Sequence, residues 1–461
     1  MNVINIPEYL VDKYNVPVPR YTSYPPANFF GKEFTEKDFR ESVIRSNKDD
    51  QQNISIYIHI PFCPQLCYYC GCNTHITRNE TMKSKYLEAL KQEIKMVRPL
   101  LDPTRKVSQV HWGGGTPNSL NIPQITGIME LLRENFTFID SPEIAIECNP
   151  AHLDHAYVDS LIILGFNRIS LGVQDFLEDV LNTVNREIPS IPIDDFVKQI
   201  QGSGKAKVNL DFIYGLPHQT VASFEKTIEK ALAIGPDRMV TFSYAHVPNI
   251  KKSQAILEKA GLVGPSEKLR MFENTYEMMK RNGYTPIGLD HFARPDDELA
   301  ISLNNKTLHR NFQGYCTRET TGQVYAFGTT GISQLESAYA QNAKTVNSYI
   351  QAISEGRFTT EKGYLLTSHQ KLIRHVINEI MCNYFISWKD TATKFNLQDS
   401  EVFKLIRYDE EQLSIFHEDG LLTSSNEGVT VTELGRFFVR NIAASFDPAL
   451  GQAGKTFSKA L

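Results

Sequence analysis

No run of roughly 18 or more apolar residues occurs in the 461-residue chain, so nothing in it reads as a membrane-spanning helix. Its start, Met1-Asn2-Val3-Ile4-Asn5-Ile6-Pro7, lacks the basic stretch and apolar core of a secretory signal, and the expected compartment is the cytoplasm. Positive charge is not in excess. The 48 Lys and Arg stand against 53 Asp and Glu, a formal net charge of −5, which gives no general attraction for nucleic acid. An anionic ligand would need a local cationic pocket instead. Low-complexity segments are missing, as is any repeat beyond an alternation of strand and helix patterns. Cysteine is scarce outside one loop, where four of the seven are gathered.

That loop lies in Tyr57 to Asn73, Y-I-H-I-P-F-C-P-Q-L-C-Y-Y-C-G-C-N. The run Ile54 to Ile60 alternates β-branched and aromatic residues and reads as a buried strand. Pro61 stops it, having no N–H for the ladder. Cys63, Cys67 and Cys70 follow as C-x3-C-x2-C, with Cys72 two positions on. Three close thiolates can meet at one metal centre. An iron–sulfur cluster normally asks for four, so three leave one iron open to another ligand. A disulfide framework suits small secreted chains with even cysteine counts, unlike this one. Structural zinc, with Cys72 as fourth ligand, is the competing account, although zinc sites usually present two separated pairs.

C-x3-C-x2-C directly after a first strand resembles the radical S-adenosylmethionine superfamily. In that superfamily the open iron chelates the cofactor's amino and carboxylate groups, and one electron splits it into methionine and a 5′-deoxyadenosyl radical. The longer string Y-I-H-I-P-F-C-x3-C-Y-Y-C-G-C-N is similar to the oxygen-independent coproporphyrinogen III oxidases. Pro19-Arg20-Tyr21-Thr22-Ser23-Tyr24-Pro25 also occurs near the start of that family. Without the resemblance this segment reads equally as a docking strap, since its prolines restrict the backbone.

Strand patterns at Val107–Trp112, Glu143–Glu147, Arg168–Val173, Val208–Tyr214 and Met239–Ala245 alternate with single helices. Such alternation means parallel pairing with right-handed crossovers. Six strand–helix units are too few for a closed eightfold barrel, so the expected fold is α/β, an open (β/α)6 partial TIM-like barrel. An N-terminal arm (1–52) precedes the barrel (53–340). A mainly helical, winged-helix-like C-terminal domain (341–461) follows, with a hairpin at Leu421–Val431 and a helix over Glu433–Ile442. The hairpin tip carries Glu427 rather than basic residues, and a cap over the barrel fits better than a DNA-binding wing.

Several motifs fall at strand ends, where parallel α/β proteins place their sites. Trp112-Gly113-Gly114-Gly115-Thr116-Pro117 lets backbone approach a ligand closely. Glu147 can accept from a ribose diol or an ammonium. Gln174, Arg186 and Asp211 offer an amide, a guanidinium and a carboxylate on neighbouring strand ends, with an internal Arg186–Asp211 ion pair as the structural alternative. The resemblance implies Tyr57, Gly114, Glu147 and Ala245 around a cluster-bound S-adenosylmethionine. It places Gln174, Arg186 and Asp211 around a second one or the tetrapyrrole, Ile332 near the second, and Gly115 and Thr116 at either. Whether a second molecule binds stays open. Asn149 stands where the family usually has aspartate.

The family resemblance thus implies a [4Fe–4S] cluster on Cys63, Cys67 and Cys70, with Cys72 not a ligand and Phe62, Tyr68 and Tyr69 shielding it. The implied reaction abstracts hydrogen from two propionates of coproporphyrinogen III and releases CO2, giving the vinyl groups of protoporphyrinogen IX. It needs an electron donor and an acceptor that the sequence does not reveal. Substrate candidates are Arg20, Tyr21, Arg294, His309, Arg310 and Gln313, and a monomer is expected. A haem-binding relative without decarboxylase activity is the alternative. Such relatives generally carry C-x3-C-x2-C-x-F, where this chain has Gly71-Cys72-Asn73, and they lack the arm motif.

Overall fold

The computed structural model describes residues 6–49, 53–317, 323–450 and 457. Six strands lie parallel and side by side: β1 Asn53–Ile60, β2 Lys106–Gly114, β3 Thr137–Cys148, β4 Arg168–Gln174, β5 Lys207–Tyr214 and β6 Arg238–Ser243. The crossover helices are Glu80–Val97, Ile122–Asn135, His155–Ile163, Ile193–Gly202 and Val221–Ile234. Four of them begin on a side chain that meets their free N–H groups: Asn79, Asn121, Asp154 and Thr220. The fold is an open α/β partial barrel.

Period-2 alternation decides which residues face the helices. In β1, Ile54, Ile56, Ile58 and Ile60 are all buried in the hydrophobic core. Ser55, Tyr57 and His59 therefore point to the other face, the barrel interior. In β2, Val110 and Trp112 pack outward, Trp112 edge-on against Phe166. His111 and Gly113 face inward. The barrel thus has an apolar outside and a polar inside.

The sheet exceeds the six strands read from the sequence. β7 Thr285–Ile287 and β8 His291–Ala293 add antiparallel beyond β6. On the other edge β9 Gln323–Phe327 pairs parallel with β1, followed by antiparallel β10 Ile332–Leu335, β11 Ala338–Asn342 and β12 Thr360–Leu365. Helices were expected from about residue 340, yet β12 lies beyond it. β12 is a half-exposed edge strand with hardly any buried residue, so no apolar alternation marks it. The helix expected over Glu433–Ile442 is also displaced. A 3-10 turn occupies Gly435–Phe438, and the helix runs Val439–Ser445. Gly435 lies directly on the Leu421 carbonyl, where a Cβ would sit at 1.8 Å, so the chain is held before it can wind.

The arm carries helices Glu8–Tyr14 and Glu36–Ser46. The C-terminal region grips it: Arg440 donates to the carbonyls of Val18 and Pro19, Asn441 to Tyr14, and the Tyr21 hydroxyl donates to Asp447 at 3.0 Å.

A polar belt crosses the lower, N-terminal end of the barrel. Ser55 donates to Gln109 at 3.1 Å and Gln109 to Glu143 at 2.7 Å. Arg168 donates to Glu143 at 3.1 Å, and Arg238 closes the belt through Asp297 at 2.8 Å. Burial opposes the charge on Glu143, but Arg168 and Arg238 outweigh it and hold the carboxyl down at about 2. A carboxyl held low in the folded state protonates later than in the unfolded chain. Its stabilisation is therefore present above about pH 4.5 and lost as pH falls toward 2. Glu143→Ala should cost about 3–5 kcal/mol by leaving Arg168 under-paired. It should also flatten the acid limb of stability, both readable by denaturant titration followed by circular dichroism.

Candidate active site

The carboxyl ends of β1 to β5 surround a cavity of about 870 Å³ including its open mouth. The cysteine loop forms one wall. Its start is fixed to β2, because the Gly115 N–H donates to Ile60 O at 2.7 Å and the Thr116 N–H to Phe62 O at 2.9 Å. The middle of the loop rests on Asn185, whose amide donates to Leu66 O at 2.7 Å and whose carbonyl accepts from Gln65. Tyr68 and Tyr69 pack on the apolar cluster of Val180, Val184, Leu216, Tyr244 and Leu257. Buried Gln254 holds the far end, donating to Tyr69 O at 2.8 Å and to Ala245 O at 3.2 Å.

Cys63, Cys67, Cys70 and Cys72 all line the cavity. The Arg186 Nη1 donates to Cys67 Sγ at 3.7 Å, and the Thr116 hydroxyl lies 3.3 Å from Cys63 Sγ. A cation and a hydroxyl beside these sulfurs suit thiolates that carry negative charge. Among the described residues, no three Cys, His, Asp or Glu side chains converge tightly enough for a single ion. A lone tetrahedral zinc, bonded at about 2.3 Å per sulfur, needs sulfurs within about 4 Å of each other. The cavity that the cysteines line leaves room for the larger body of a cluster, and the donor set is compatible with one.

Opposite the loop lies the glycine turn. Gly114 has φ 110°, and a Cβ on it would come within 2.5 Å of the His59 ring. A Cβ on Gly113 would lie 2.9 Å from the Glu147 carboxylate. Beneath the turn, Tyr57 stacks on His111 with ring centroids 5.9 Å apart, and its hydroxyl meets His59 Nδ1 at 3.2 Å. His111 Nε2 reaches Glu147 at 2.9 Å. Burial pulls the His59 pKa down to about 4, leaving a neutral ring, whereas on His111 the Glu147 carboxylate outweighs burial and raises it.

On the far wall, Asp211 accepts from the Ser170 hydroxyl at 2.6 Å and the Asn209 amide at 2.7 Å. Burial nonetheless raises it to about 6. Gln174 stands beside it with φ 70°, and Arg186 Nη2 donates to Gly172 O.

A full-length comparison decides the family. The chain is 41% identical to the oxygen-independent coproporphyrinogen III oxidase of Synechocystis, over 98% of this chain and 97% of that one. It is 41% identical to the enzyme of that name from Escherichia coli, over 97% and 96%. The chain belongs to the oxygen-independent coproporphyrinogen III oxidase family. The Radical SAM superfamily matches residues 57–231. The solved coproporphyrinogen III oxidase from Escherichia coli, described as a radical SAM enzyme, superposes with a TM-score of 0.90 at 39% identity. That match covers 97% of this chain and all of the other. Membership brings a [4Fe–4S] cluster and S-adenosylmethionine as the cofactors.

For this member of the family the structure brings Cys63, Cys67, Cys70, Tyr69, Gly114, Gly115, Thr116, Glu147, Gln174, Arg186 and Asp211 to one cavity. Tyr57 lies beneath it. Ala245 adjoins it through Gln254. Ile332 packs apart, with Phe312 on the cluster of Phe30 and Tyr339, and Gln313 follows Phe312 at the turn of the hairpin His309–Cys316. Arg20 contacts Asp290 at 3.4 Å, and the Tyr21 hydroxyl is committed to Asp447. Arg294 is not brought to the cavity. It donates to the Gly235 and Pro236 carbonyls at the lower end of the barrel. Sequence reasoning gave no role to His59, His111, Asn185 or Gln254. His59 was within reach, two positions from Tyr57 on one strand face; Asn185 and Gln254 act through loop contacts that leave no periodic signal.

Cys67→Ala should remove the visible absorption of the reconstituted cluster together with activity. Gly114→Ala should abolish S-adenosylmethionine binding while leaving that absorption, because only the turn above His59 is disturbed. Anaerobic absorption spectra and a binding titration check both.

Proposed function

We propose that this chain carries out the oxidative decarboxylation of two propionate side chains of coproporphyrinogen III to vinyl groups, yielding protoporphyrinogen IX. The observation that supports it is the cavity in which three thiols, Arg186 and the glycine turn share one wall space, in a chain similar over its whole length to enzymes of that name. When bound, the cluster and S-adenosylmethionine supply an electron and the carbon radical that removes a hydrogen atom from the substrate. Each propionate then loses CO2 and one further electron to an acceptor.

The chain's own residues hold and orient. Cys63, Cys67 and Cys70 would ligate, with Arg186 offsetting their charge; Cys72 is left outside the ligand set. The Gly114 backbone, Glu147 and the Tyr57–His111 stack would receive the amino acid and ribose of the cofactor, and Gly115 and Thr116 a second cofactor molecule or the substrate. Gln174, Arg186 and Asp211 would meet a second cofactor molecule or the substrate. Tyr69 and its neighbours exclude water from the radical. The arm and the His309–Cys316 hairpin would flank the tetrapyrrole, with Gln313 beside it and Ile332 near a second cofactor molecule.

Among the described residues no helix is long and apolar enough to cross a membrane. A compartment that keeps four neighbouring thiols reduced, the cytoplasm, suits the site. The reading uses one chain, a low-potential electron donor and a separate acceptor.

Anaerobic incubation of reconstituted enzyme with coproporphyrinogen III, S-adenosylmethionine and dithionite should yield vinyl products and CO2, followed by chromatography. Bound haem without turnover, or a methylated or ring-opened product, would overturn the reading.

A further inference from the structure

Three arginines from separate segments meet beside the barrel mouth, on the β5–β6 side. Arg20 comes from the arm, Arg310 from the hairpin and Arg440 from the helix Val439–Ser445. Arg20 and Arg310 are linked by contacts: Arg20 meets Asp290, Asp290 is bonded to His291, and the His291 ring stands edge-on, centroids 5.2 Å apart, to the Tyr315 ring over which Arg310 lies. The carboxylates facing them are already engaged. Asp447 accepts from Tyr21 and from the Ala449 N–H at 2.8 Å. Asp290 is bonded to His291 Nδ1 at 2.6 Å and meets Arg20 only at 3.4 Å.

Arg310 is 7% exposed, with its guanidinium 4.8 Å above the Tyr315 ring. Its Nη1 donates to the Tyr315 hydroxyl at 3.3 Å, and its Nε has no hydrogen-bond partner among the described residues. A buried donor without an acceptor is costly, and a carboxylate is the group whose geometry completes a guanidinium. The Arg20 side chain is 43% exposed and can turn toward such a group. Arg440 spends its donors on the Val18 and Pro19 carbonyls, the peptide groups immediately before Arg20.

We propose that Arg20 and Arg310 form a seat for one substrate carboxylate, and that Arg440 positions the seat by holding the arm in register. That the carboxylate is a porphyrinogen propionate rests on the proposed function. His291 pairs with Val240 on β6, and Val240 with Asp211 on β5, so the seat lies two strands across from the cavity wall.

The test uses reconstituted holoenzyme. Arg20→Gln, at a half-exposed position, should raise KM for coproporphyrinogen III about ten- to a hundredfold, the range for losing a hydrogen bond to a charged group. KM for S-adenosylmethionine should not move. Arg20→Lys should recover part of the loss, and Arg440→Lys should raise the same KM while the cluster spectrum is kept. Fluorescence titration with coproporphyrin III should weaken in Arg20→Gln, whereas its tetramethyl ester should bind both proteins alike. Unchanged KM in Arg20→Gln, or equal binding of acid and ester to the unaltered enzyme, overturns the seat. Cofactor cleavage without substrate falling in step with turnover would also overturn it, by marking the arm as structural. Missing vinyl product from the unaltered enzyme overturns the reaction reading alone, because the binding arm decides the seat independently.

Discussion

Two backbone hydrogen bonds, from Gly115 to Ile60 and from Thr116 to Phe62, tie the end of β1 to the end of β2. Everything at the mouth depends on that tie. It sets the first cysteine beside the glycine turn, and the remainder of the loop follows because Asn185 and Gln254 catch it from the segments after β4 and β6. Gly115 is needed here for a steric reason: a Cβ would sit 2.7 Å from the Pro61 carbonyl. Thiol donors and cofactor cradle thus meet at one joint between β1 and β2.

How much of this could be read from the chain depends on the range of the interaction. The parallel strands showed themselves because burial on the helix side leaves isoleucine or valine at every second position. The cysteine spacing and the Gly113–Gly115 run are local too, and they pointed to the cavity the structure contains. What escaped was set by distant contacts. β12 is a strand because it pairs with Ala338–Asn342, not because its residues are apolar. Arg294 looked available within Leu289–Leu299, yet it satisfies carbonyls at Gly235 and Pro236, which no local pattern announces. The delay in the last helix likewise comes from Gly435 pressing on Leu421.

The arm and the C-terminal region have little meaning apart. Arg440, Asn441 and Asp447 bind the arm at three points within a few residues of Arg20. Tyr339 adds a fourth by donating to the Tyr24 carbonyl at 3.2 Å. The arm's buried residues join the core, and a helix more than 400 residues later in the chain holds its backbone. That dependence explains why the C-terminal region belongs to the working enzyme: it holds the arm that carries Arg20.

The belt of Ser55, Gln109, Glu143, Arg168, Asp297 and Arg238 makes the barrel a blind vessel, stoppered at its foot. Nothing large passes between the cavity and that foot. A ring-shaped guest with two arms to be altered one after the other therefore cannot be threaded through. It has to swivel in place, or withdraw and return turned about, between the first event and the second.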